Sequence, residues 1–182
     1  MIETIQLQEG ITLRCCNDDR FKTSCLSLQI VRPMCRQEAA ANALISAVLL
    51  RGSRRYPDLR DITLRLDDLY GASIGTQVRR VGDYQTTGLS CSFMREDYAL
   101  AGDKIFAPMV SFLEELMFRP KLEQGIFPED FVTGEKRNLL AALLALLLLP
   151  MTAALFAREP VLPFLSTILL LLVSGFLLTR IR

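Results

Sequence analysis

Through much of the first 93 residues of this 182-residue chain, apolar and polar positions alternate with a period of two, which predicts strands. Residues 4–7 and 11–16 flank Gln8, Glu9 and Gly10, a hairpin pattern with glycine in the turn. Across residues 21–32, Leu26, Leu28 and Ile30 point one way and Ser27 and Gln29 the other, until Pro33 stops the strand. Residues 38–50 are rich in alanine and leucine and predict a buried helix that ends at Gly52. Asp58 caps a second helix, with Leu59, Ile62, Leu66 and Leu69 on its apolar face and Arg60, Asp61, Asp67 and Asp68 opposite. Gly71 closes it. Ala72, Ile74, Thr76 and Val78 then alternate with Ser73, Gly75, Gln77 and Arg79, and residues 84–93 read as the antiparallel return after Gly82 and Asp83. A third helix over 104–118 places Phe106, Met109, Val110, Leu113, Leu116 and Met117 on one stripe. Pro128, Glu129 and Asp130 start a last helix that runs into an apolar tail.

In the tail the pattern changes. No residue is charged from Asn138 to Ala157, nor from Pro160 to Thr179, and only Arg158 and Glu159 separate the two runs. Each run is 20 residues long, which as a helix spans roughly 30 Å, the hydrocarbon thickness of a bilayer. Nine leucines in the first and eight in the second favour insertion. The expected fold class is therefore α+β: an antiparallel sheet covered by helices in residues 1–137, followed by a two-helix transmembrane hairpin in 138–182, with spans at 138–157 and 160–179. Lys136 and Arg137 before the hairpin, and Arg180 and Arg182 after it, put positive charge at the same end of both helices. That predicts a multi-pass membrane protein with head and C-terminus in the cytoplasm and the lipid bilayer as a partner. Two other readings of the tail are a core hairpin within a larger assembly and a frameshift or fusion.

Charge narrows the partners. The tail holds three of the 21 basic residues and one of the 20 acidic ones, leaving 18 and 19 in residues 1–137. That balance argues against nucleic acid, which needs a basic surplus on one face. Residues 1–13 carry Glu3 and Glu9 and no apolar run, so they do not read as a secretory signal. Cys15, Cys16, Cys25, Cys35 and Cys91 form no CxxC pair and read as half-buried thiols in a reducing compartment. The chain has no histidine. Its absence removes Ser-His-Asp and Cys-His catalysis and every zinc site that needs imidazole.

Three segments then resemble a known family: 49–57, Leu-Leu-Arg-Gly-Ser-Arg-Arg-Tyr-Pro; 66–72, Leu-Asp-Asp-Leu-Tyr-Gly-Ala; and Phe127-Pro128 with Glu135-Lys136. Together, over roughly residues 1–138, they resemble the first domain of the pitrilysin/insulinase-type metallopeptidases, and above all its non-catalytic bacterial members, which are usually paired with an active sibling. In active members a His-x-x-Glu-His motif on the helix before the Arg-Gly-Ser segment holds zinc, and its glutamate activates the metal-bound water. The matching positions here are Ala43, Ser46 and Ala47, and the family's third ligand falls near Ala142. None of these side chains binds metal, and Ser46 has no neighbouring base to make it a nucleophile. The resemblance also stops partway through one half of a two-half family architecture, which predicts that part of the sheet's apolar face is left uncovered.

The expected function is that of a catalytically inactive, membrane-anchored peptidase homologue with no cofactor, no catalytic residue and no metal ligand. At most it binds peptide or serves as partner subunit to an active sibling metallopeptidase. An extended peptide could add to its sheet edge, with Arg79, Arg80 and Tyr84 as candidate contacts; ordinary exposed strand residues are the other reading of these three. The alternatives are a small membrane protein or truncated relic with a vestigial head, and a metallopeptidase with displaced ligands.

Overall fold

A computed structural model describes residues 2–156 of the chain, which divides into two compact units, Met1–Val132 and Thr133–Arg182. The first unit opens with a hairpin of β1 (Ile2–Gln8) and β2 (Ile11–Cys16), turning at Gly10 with φ +78°. The left-handed backbone there suits glycine, which has no Cβ to clash. Ile5 pairs with Leu13 and Glu3 with Cys15, and a bulge follows Gln6. A second, three-stranded antiparallel sheet has the order β3 (Thr23–Pro33), β5 (Tyr84–Met94), β4 (Ser73–Val81). The single sheet expected from the strand pattern is thus two sheets, and every described residue of the hairpin is exposed.

Helices α1 (Ala39–Leu49), α2 (Leu59–Asp68) and α3 (Phe106–Phe118) supply the other side of the core. Leu89, Cys91 and Phe93 point from β5 into a cluster with Leu49, Ile62, Leu69, Met109, Phe112, Leu113 and Leu116. Leu26 and Leu28 on β3 and Ile74 on β4 pack against it at half burial. At the β4–β5 turn the cover thins: Ile30 and Val78, both paired with Thr87, are 49% and 40% exposed.

One helix departs from its sequence pattern and another follows it. In α3 the buried stripe is rotated, because Phe106 and Val110 are 52% and 39% exposed whereas Phe112 and Glu115 are buried. No side chain caps α3 from its own N-cap, Ile105; instead the Glu96 carboxylate, on a short 3-10 turn (Glu96–Tyr98), accepts the N–H groups of Ile105 and Phe106, each at 3.0 Å. In α2 the Asp58 side chain accepts the Asp61 N–H at 2.9 Å, the cap the sequence predicts.

The last helix, α4 (Glu129–Phe156), crosses from the first unit into the second. Among the described residues no helix is long and apolar enough to cross a membrane. That overturns the expected transmembrane hairpin and, with it, the membrane localisation and two-span topology. The first uncharged run is instead the continuation of a helix whose first turns carry Glu129, Asp130, Glu135, Lys136 and Arg137. The first uncharged run is therefore not a separate apolar element; the second, 160–179, lies outside the described residues.

Candidate functional site

Helix α1 is held on the sheet by polar contacts at its first turns. Gln85 is buried beneath it, and its side-chain amide donates to the Ala39 carbonyl at 2.9 Å and accepts from Asn42 at 3.4 Å. Beyond its last turn, residues 52–57 make a tight loop. The Ser53 N–H donates to the Tyr56 carbonyl at 2.7 Å, and the Tyr56 N–H donates back to Ser53 Oγ at 3.0 Å. A Cβ on Gly52 would lie 2.7 Å from the Pro57 carbonyl oxygen, so only glycine fits there. The loop is clasped to the end of α3, with Arg54 N–H donating to the Arg119 carbonyl at 3.0 Å and Lys121 N–H to that of Gly52 at 3.2 Å. This clasp is a physical use for the Gly-Ser-Arg-Arg-Tyr-Pro segment.

On the helix so placed, Ala43 and Ala47 are half-buried and Ser46 is fully buried. Two methyl groups and a hydroxyl offer neither imidazole nor carboxylate, so zinc does not fit these residues. Ala142, on α4 in the second unit, is another methyl. Among the described residues no group of three or more His, Cys, Asp or Glu side chains could hold a metal ion.

The sheet separates the three candidate contact residues. Arg79 pairs with Thr86, and Tyr84 with Val81 and Pro33, on the face turned away from the helices. Arg80 pairs with Gln85 on the other face, and its Nε donates to the Gly82 carbonyl at 3.0 Å. So Arg79 and Tyr84 lie on one face and Arg80 does not join them. Sequence reading missed what surrounds that pair. Cys25, Ser92 and Ser73 form one cross-strand row of the outer face, Ser27, Ser90 and Gly75 the next, and Gln29, Gly88 and Gln77 the third. The alternation of Ser, Gly and Gln in all three strands was the available signal. Both outer strands, β3 and β4, have a free edge among the described residues.

The cysteines are less uniform than their sequence suggests. All five are free thiols; Cys15, Cys16 and Cys25 are exposed, Cys35 is intermediate, and Cys91 is buried, where desolvation pushes its pKa from the ordinary 9.0 up to about 11. Cys91 is therefore a protonated, inert core residue rather than a nucleophile.

With this geometry in view, comparison with known proteins finds two similar chains. It is 28% identical over 130 residues to the probable inactive metalloprotease YmfF of Bacillus subtilis, an alignment covering 71% of this chain and 30% of that protein. The crystal structure of a conserved protein from Enterococcus faecalis matches with a TM-score of 0.76 and 28% identity, over 86% of this chain and 36% of that one. The chain thus spans about a third of the length of these relatives. No family model matches it. The chain is thus similar to a probable inactive metalloprotease, and the positions where the resemblance would put a zinc motif carry Ala43, Ser46 and Ala47.

Proposed function

We propose that this chain is a non-catalytic relative of the pitrilysin/insulinase-type peptidases that binds an extended peptide, or a segment of a sibling peptidase subunit, along the free edge of β4. The observation that carries this reading is the contrast between α1 and the sheet. The positions that would hold zinc are filled with small residues that pack well, while the sheet keeps a free edge and an outer face lined with small polar side chains. A free strand edge offers a row of main-chain N–H and C=O groups, which bind extended peptide without any catalytic residue. Arg79 and Tyr84 beside that edge add a positive charge and an aromatic surface.

Fluorescence anisotropy with the full chain tests this, using a labelled extended acidic peptide and the same peptide with proline at alternate positions. Binding of the first and not the second is expected, because proline removes the N–H groups that extend a sheet. Arg79→Glu and Tyr84→Ala should each weaken it about tenfold, roughly 1.4 kcal/mol. Equal binding of both peptides, or no binding by either, would sink the edge reading. Zinc-dependent cleavage of a fluorogenic peptide by the purified chain would sink the non-catalytic one.

A further inference from the structure

On the helical side of the first unit lies an open cleft of about 490 Å³, a size within the usual range of small-molecule sites. Arg55 and Tyr56 enter it from the loop between α1 and α2, Arg65 from α2, and Ala107, Pro108 and Arg119 from α3. The three guanidinium groups are unequally committed. Arg119 lies 3.7 Å from Glu114 and 3.6 Å from Glu115. Arg65 reaches Asp68 only at 4.0 Å, and its Nε–H is buried without a hydrogen-bond acceptor. Arg55 makes no ion pair with a carboxylate among the described residues, and its guanidinium rests 5.7 Å from the centre of the Tyr56 ring.

We infer that this cleft is a binding site for an oxyanion, the carboxylate or phosphate group of a small molecule with an apolar body. A buried N–H without an acceptor is costly to leave unmade, and an entering oxygen satisfies it. Arginine's planar fork matches two oxygens of a carboxylate or phosphate, and a cation stacked near an aromatic ring is already oriented. The two carboxylates that line the cleft, Glu114 and Glu115, are ion-paired with Arg119 and not with Arg55 or Arg65; one Glu115 oxygen also accepts the Arg55 main-chain N–H at 3.0 Å. Tyr56, Ala107 and Pro108 supply an apolar wall for the rest of the ligand. The site is independent of the peptide reading, since none of these residues lies on the sheet.

The test is a titration of the full chain, labelled with nitrogen-15, read at the arginine Nε–H signals. The probes are inorganic phosphate, N-acetylphenylalanine, and the neutral amide of the latter; Arg65→Lys identifies the Arg65 signal. A saturable shift of that signal is expected with one or both anions and not with the amide. Arg55→Gln, at an exposed position, should weaken binding about tenfold while leaving the rest of the spectrum in place. Saturation by phosphate alone assigns a phosphate ligand, and by N-acetylphenylalanine alone a carboxylate. The site is overturned if neither anion saturates, if the amide binds as tightly as the acid, or if Arg55→Gln binds like the unaltered chain; this last holds even should Arg65→Lys fail to fold.

Discussion

Gln29 and Gln77 hydrogen-bond to each other across the full width of the three-stranded sheet, over a central strand residue, Gly88, that both of them pair with. The bridge exists because Gly88 has no side chain to stand between the two amides. Space beside it is tighter still: a Cβ on Gly88 would come within 2.0 Å of the Leu28 carbonyl oxygen and 2.9 Å of Gln29 Cα. Gly88→Ala is expected to lower stability by about 2–3 kcal/mol, since backbone rather than a flexible side chain must give way. Gln77→Ala, which removes only the exposed amide bridge, should cost about 1 kcal/mol or less. Urea unfolding midpoints at constant slope measure both.

Phe112 anchors the helical layer. It is 2% exposed and meets the Tyr56 ring edge-on, with centroids 5.1 Å apart and planes at 72°. Phe112→Ala is expected to cost about 3–5 kcal/mol, whereas Phe106→Ala, at a half-exposed position on the same helix, should cost about 1 kcal/mol. Thermal unfolding of the two variants side by side decides the helix rotation; equal losses would restore the stripe that the sequence predicts.

Glu115 holds the loop of residues 52–57 to α3 from inside the protein. Glu115→Ala leaves the Arg55 N–H without its acceptor and Arg119 with a single carboxylate neighbour. A loss of about 2–3 kcal/mol is expected, with Glu115→Gln retaining an acceptor and losing less. A second readout is local: amide hydrogen exchange at Arg55 should speed up in Glu115→Ala beyond what the global loss explains.

Cys91 ties stability to alkaline pH. Its folded pKa is raised to about 11 from an ordinary 9.0, so the folded state holds the thiol proton more tightly than the unfolded chain. The contribution is fully present below pH 9 and is lost as pH rises toward 11. Cys91→Ala should flatten stability across that window. At neutral pH, iodoacetamide followed by mass measurement should modify Cys15, Cys16 and Cys25 first and Cys91 only under denaturing conditions.

Much of the architecture is legible from periodicity. Leu26, Leu28 and Ile30 do share one face of a strand, Asp58 does cap α2, and the order of strands and helices follows the sequence pattern. What periodicity missed depended on partners far along the chain. The apolar stripe of α3 is set by Tyr56 and by a buried carboxylate, neither visible in a helix read alone, so Phe112 was left out and Phe106 put in. The two hairpin strands alternate as well as any others, yet among the described residues they pair only with each other. The transmembrane hairpin is not upheld either, since among the described residues no helix is long and apolar enough to cross a membrane. Arg79 and Tyr84 met on one face and Arg80 did not, as strict alternation along β4 requires. The arginine cleft was not readable, since its cations come from a loop and two helices separated by as many as 64 positions, Arg55 to Arg119.

The carboxylate of Glu96 ties together pieces of chain that sequence keeps apart. The N–H groups of Phe106 and Ile105 hold its pKa below the ordinary carboxylate range, so the fold favours the charged form. Acidification through that lowered pKa withdraws the acceptor from α3 and loosens the 3-10 turn in the same event. The turn after β5 and the head of α3 are thus tied through one carboxylate oxygen, which accepts both N–H groups. As pH falls through that lowered pKa, the amides of Ile105 and Phe106 should begin to exchange with solvent ahead of those in the middle of β5.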